Sequence, residues 1–142
     1  MIGIAVSRFN EEVTEALLKS CLAALEKAGH DDDVLVVKVP GGFELPWTVQ
    51  ELALRKDCEV VIALGCVLRG GTPQNEHISR SLVQQLHAIS VRTRKPVCMG
   101  VITPNTWAQA VARTKGRHDR GKEAAEAALE MLCLAGKLRR AK

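Results

Sequence analysis

Four short apolar runs set the limits on how this chain can fold: Ile2–Val6, Val34–Val39, Val60–Val67 and Val97–Ile102. Each is nearly continuous rather than alternating, the pattern of a strand covered on both faces of its sheet. Between them lie segments with helical spacing. Val13, Leu17, Cys21, Ala24 and Ala28 form one stripe, ended by Gly29, with Asn10 as its N-cap and Glu11 and Glu12 in the first turn. Leu45–Leu54 reads as a second helix, with Pro46 in its first turn. Ile78, Leu82, Val83, Leu86, Ile89 and Ser90 mark a third, Thr106–Arg113 a fourth and Gly121–Leu138 a fifth. Strict alternation predicts an α/β fold: a four-stranded parallel sheet with helices on both faces, joined by right-handed crossovers.

Residues 1–142 are the size of one domain, and no linker or repeat divides them. Apolar residues make up 46% and aromatics only 3%, so the core must be aliphatic. A net charge of +4 is too mild to argue for nucleic acid, and base-stacking surface is scarce. Cys21, Cys58, Cys66, Cys98 and Cys133 lack CxxC spacing and are expected to be reduced and buried. No run approaches the ~20 residues of a membrane span. Arg8 and Asn10 interrupt the first apolar run, so no signal peptide is read there. The expectation is a cytoplasmic protein.

The unusual residues cluster directly after the strands. Ser7-Arg8-Phe9-Asn10 follows the first, Pro40-Gly41-Gly42-Phe43-Glu44 the second, Arg69-Gly70-Gly71-Thr72 the third and Thr103-Pro104-Asn105-Thr106-Trp107 the fourth. In an open parallel sheet all four segments meet at the carboxyl edge, where ligands bind.

Gly65 to Thr72 is one residue from a Walker A loop, but Gly71 stands where the phosphate-holding lysine belongs, which rejects nucleoside triphosphates. A small-phosphate site at Gly71 and Thr72, before a helix N-terminus, survives beside the plainer reading of a glycine turn. Phe9 is either a hydrophobic staple or a face for a planar ligand. Glu44 is either a first-turn carboxylate answering the helix dipole or a hydroxyl-binding group in the crevice. Arg113 to Lys122 carries five cations and one acid, a solvated loop that can also close over a phosphate. His30 and His118 fall in loops and His87 within a helix, leaving His77 as the histidine nearest the crevice. No histidine pair has metal-ligand spacing with a third ligand nearby, and no nucleophile triad is present, so neither a metal nor covalent catalysis is expected.

The segments Ile2 to Glu11, Val39 to Pro46, Ala63 to Pro73 and Gly100 to Thr106 together resemble 6,7-dimethyl-8-ribityllumazine synthase, in the family's order and spacing. The resemblance implies a flavodoxin-like three-layer sandwich, a pentamer that some members pack into shells, and no cofactor. It implies the penultimate step of riboflavin biosynthesis: a ribitylamino-pyrimidinedione condenses with 3,4-dihydroxy-2-butanone 4-phosphate through an imine, phosphate loss and ring closure. By the same resemblance Phe9 stacks on the pyrimidine, and Gly42, Phe43 and Glu44 line the ribityl pocket. Cys66, Val67 and Leu68 give backbone contacts to the ring. Gly71 and Thr72 hold the phosphate, with Arg113 as counter-charge and Arg120 where a lysine is usual. Met99 closes the ring pocket from a neighbouring subunit.

Three departures stand out. Gln74 occupies the position of the family's proton-transferring histidine, and glutamine cannot titrate near neutrality. Asn75 replaces an aromatic. The chain also starts almost on its first strand, without the extension that can join a neighbour's sheet. The leading expectation is a synthase with slowed turnover. The alternatives are a non-catalytic self-assembling scaffold, such as a designed cage component with a second chain, and a ribityl-ligand binding protein.

Overall fold

The computed structural model describes residues 1–141. Four parallel strands, β1 (Ile2–Ser7), β2 (Val34–Val39), β3 (Val60–Cys66) and β4 (Val97–Ile102), lie in the order β2-β1-β3-β4. Helices α1 (Glu11–Lys27) and α5 (Arg120–Arg140) cover one face; α2 (Leu45–Leu54) and α3 (Gln74–Thr93) cover the other. The short α4 (Trp107–Ala112) sits after β4. This is a flavodoxin-like three-layer α/β sandwich.

Both central strands are buried along their whole length, which explains the continuous apolar runs. Ile4, Val6, Ile62 and Leu64 face Leu18, Cys21, Leu25 and Ala125. Ala5, Val61 and Ala63 point the other way, into Leu45, Val49, Leu86 and Ile89. The α1–α5 side is pulled especially tight. A Cβ at Gly121 would stand 2.2 Å from the Leu17 carbonyl oxygen, so α5 starts against the backbone of α1.

Most predicted elements form within a few residues of their expected limits. Gly29 ends α1 in the left-handed region at φ 84°, a conformation glycine adopts without steric cost. Asn10 differs from expectation: at φ 60° it makes no side-chain cap to α1. Its Nδ2 donates instead to the Cys66 carbonyl at 3.0 Å, tying the exit of β1 to the end of β3. Asparagine tolerates the left-handed region, and the Cys66 carbonyl at the strand end can accept the bond. The third helix begins at Gln74, earlier than its apolar stripe indicated, so Gln74 and Asn75 lie in its first turn. Four of the cysteines are buried as expected, but Cys133 is exposed on α5.

Candidate active site

The chain runs from β1 outward to β2 and returns past it to β3. The crevice at the carboxyl ends of β1 and β3 is therefore the switch point where open α/β sheets take ligands. A cavity of about 350 Å³ opens there. The exit of β1 contributes Phe9, the exit of β2 contributes Gly41 to Glu44, and the exit of β3 contributes Cys66, Val67 and Leu68. Gly70, Thr72, Gln74, Asn75 and Ile78 close it at the start of α3.

Phe9 is 71% exposed and Phe43 77%. Exposure of that size overturns the staple reading of Phe9, because a staple must pack. It leaves two apolar faces free at the mouth. Glu44 combines its two sequence readings: Oε2 accepts the Gly41 N–H at 2.9 Å, closing its own turn, while the side chain lines the cavity. The Cys66–Leu68 segment is partly committed. The Val67 N–H donates to the Ile102 carbonyl at 2.9 Å, and the Cys66 carbonyl takes the Asn10 amide, so Leu68 holds the segment's free backbone donor among the described residues. Burial pushes the Cys66 thiol up to about 11, so it is neutral at physiological pH and no nucleophile.

At the start of α3 the N-cap is Pro73, with no side-chain cap. Among the described residues the backbone N–H groups of Gln74 and Asn75 reach no carbonyl. With the positive end of the helix dipole behind them, they suit an anion beside Thr72. Gly71 is exposed next to this cavity but does not line it. A Cβ at Gly70 or Gly71 would meet nothing within 4 Å, so these glycines leave the approach open.

The other expected site residues lie elsewhere. A second cavity, of about 510 Å³, runs along the outer edge of β4. Met99, Arg113 and Arg120 line it with His118, and it shares no lining residue with the first cavity. Within one chain the arginines therefore do not join Thr72: β4 is the edge strand, and the loop after α4 turns to its far side. His77 lines neither cavity, while His118, a loop residue in the sequence reading, lines the second. Sequence reasoning also passed over Ile78 and Asn75 as cavity wall. Ile78 belongs to the α3 stripe, and its place at the helix start was the signal that it faces the crevice.

A doubly wound α/β protein with its ligand crevice at the switch point is thus defined: apolar faces and one carboxylate on one side, an unpaired helix N-terminus on the other. The chain belongs to the 6,7-dimethyl-8-ribityllumazine synthase family, whose profile matches residues 1–135. A relative named 6,7-dimethyl-8-ribityllumazine synthase from Thermus thermophilus is 43% identical over 135 residues, covering 94% of this chain and 86% of that protein. Relatives of the same name from Salinibacter ruber and Aquifex aeolicus are 43% and 37% identical, each covering 96% of this chain and 88% and 90% of their own lengths.

Proposed function

We propose that this chain joins a 5-amino-6-ribitylamino-pyrimidinedione to 3,4-dihydroxy-2-butanone 4-phosphate, at a rate lowered by Gln74. The observation that carries the reading is the first cavity itself. Its wall pairs flat apolar faces with a carboxylate and a helix N-terminus, as a planar ring, a polyol and a phosphate require. Phe9 stacks on the ring, Glu44 and the backbone at Gly42 and Phe43 take ribityl hydroxyls, and Leu68 holds the ring edge. Thr72, the first N–H groups of α3 and the open approach at Gly71 take the phosphate. Catalysis is then chiefly the holding of two reactants in register, and no cofactor is called for.

The arginines enter from a neighbouring copy. Arg113 and Arg120 line the second cavity and not their own chain's first, and Met99, 44% exposed on β4, lines it with them. Trp47 (69% exposed), Leu54 and Phe43 put further apolar surface on the α2 side. A pentamer uses both surfaces at every contact. Light scattering that finds a stable monomer at micromolar concentration would exclude it.

Turnover with both substrates, beside Gln74→His, tests the reaction. Wild-type turnover should be slow, and Gln74→His should raise it by ~10-fold or more, within the usual reach of acid–base help. An assembled protein with no turnover, whose Gln74→His variant is equally inactive, would favour the scaffold reading. The paired polar residues Gln74 and Asn75 are the observation behind that alternative.

A further inference from the structure

Gln74 leaves the first cavity without an imidazole. Its titratable side chains are the Glu44 carboxylate, one oxygen of which is held by Gly41, and the Cys66 thiol, which burial keeps protonated. The condensation nevertheless needs a proton moved. Once the imine has formed, the carbon between it and the phosphate-bearing carbon must lose its proton. That C–H pair becomes the new C=C bond, and the C–O bond breaks with its electrons leaving on inorganic phosphate. The enol so formed gives up its O–H proton as its terminal =CH2 takes one, leaving a methyl ketone; the ribitylamino nitrogen adds to that carbonyl, and the hydroxyl this creates takes a proton and departs as water.

We propose that His118 of a neighbouring copy performs this proton transfer in place of the missing imidazole at Gln74. The inference rests on the reading of the two cavities as halves of one site between copies. Their chemistry is complementary. The first holds a carboxylate, free backbone donors and no cation; the second holds Arg113, Arg120 and His118 and no carboxylate. The arginines that would meet the phosphate thus bring His118 with them, on the same cavity wall.

His118 stands on a fixed support. It ends the 3-10 turn Gly116–His118, and the flanking backbone is pinned on both sides. The Arg120 N–H donates to the Arg113 carbonyl at 2.8 Å. The adjacent Asp119 Oδ1 accepts from Ser20 Oγ at 2.7 Å, the Gly121 N–H at 3.0 Å and the Lys122 N–H at 3.2 Å. The carboxylate that could otherwise engage the imidazole is therefore occupied by α1 and by the first turn of α5. Glu123 is paired with Arg120 at 3.3 Å. Of the charged groups near the imidazole, Arg113 and Arg120 share its cavity wall, Arg117 and Asp119 adjoin it in sequence, and Glu123 pairs with Arg120. Among the described residues the imidazole itself bonds to no protein group, which leaves both nitrogens for a substrate. A neutral imidazole accepts a proton on one nitrogen and returns it as imidazolium.

The test is His118→Gln in the assembled protein. We expect kcat to fall by ~10²-fold or more, while KM for the phosphate-bearing substrate changes little, because the arginines remain. The pH profile of kcat should change as well, and Gln74→His added to His118→Gln should restore the rate. Co-assembling His118→Gln chains with Glu44→Ala chains should recover activity above either alone, because some contacts then carry both intact halves. Turnover whose rate and pH profile ignore His118→Gln would overturn the assignment to His118. No recovery on co-assembly would overturn the sharing between copies. No turnover by the wild type would instead overturn the synthase reading on which both rest.

Discussion

The two cavities are built on different principles. The first is assembled from three strand exits and one helix start, all fixed by the buried centre of the sheet. It recognises shape, hydroxyls and backbone-bound anions. The second lies on the open side of edge strand β4 and owes its character to one cationic loop. The first therefore depends on the core for its form, whereas the second depends on the seam between α1 and α5. Recognition and charge are separated in one chain, and the proposed contact between copies reunites them.

The largest effect should come from that seam. Gly121→Ala places a methyl 2.2 Å from Leu17 O and 2.4 Å from Ser20 Oγ. Backbone cannot step aside, so we expect a loss of about 3 kcal/mol, read as a lower urea midpoint. Gly65→Ala, behind the first cavity, meets Ser7 Oγ at 2.9 Å and Leu45 Cδ1 at 3.1 Å, which are side-chain atoms able to shift. It should cost only about 1 kcal/mol. Equal costs would break the contrast between the two regions.

Charge is the next contrast. Arg113→Ala should raise KM for the butanone phosphate by ~10–100-fold, the loss of one charge-assisted contact. It should leave KM for the pyrimidinedione nearly unchanged, whereas Phe9→Ala should do the reverse. If both variants shift both constants alike, the division of labour is wrong.

Thiols give a smaller, sharper comparison. Cys133, exposed on α5, should react with a maleimide at neutral pH, while Cys66 in the first cavity should stay unlabelled in the folded protein. Burial also raises Cys21 to about 12 and Cys98 to about 11. A thiol raised in the folded state makes the native protein hold protons that the unfolded chain releases. Its stabilisation is complete below the ordinary value of about 9.0 and is lost as pH rises through about 11. The urea midpoint should therefore fall between those limits, and Cys98→Ala should lessen the slope.

Several features were legible along the chain because their causes are local. Continuous apolar runs marked Ile2–Val6 and Val60–Val67 as strands covered on both faces, close to the observed limits, and a 3.6-residue stripe marked α1 through Leu17 and Cys21. Strand-then-loop order sent Phe9, Glu44 and Thr72 to one edge, and they do meet in one cavity. The motif match also identified the family. Asn10 was misread because its alternatives, a cap on α1 or a bond to Cys66 O, differ only once β1 and β3 are neighbours. Arg113 and Arg120 were grouped with Thr72 by the family resemblance and by the cationic loop that can close over a phosphate, whereas Met99 was assigned to a neighbouring subunit's pocket. What separates the arginines from Thr72 is that β4 is the outermost strand, which sends the following loop beyond the sheet. His118 gained its place for the same reason. Periodicity and turn chemistry act over a few residues and can be read in the sequence. Strand order and helix packing act between residues tens of positions apart, so only the tertiary structure decided which side of an edge strand a charge would face.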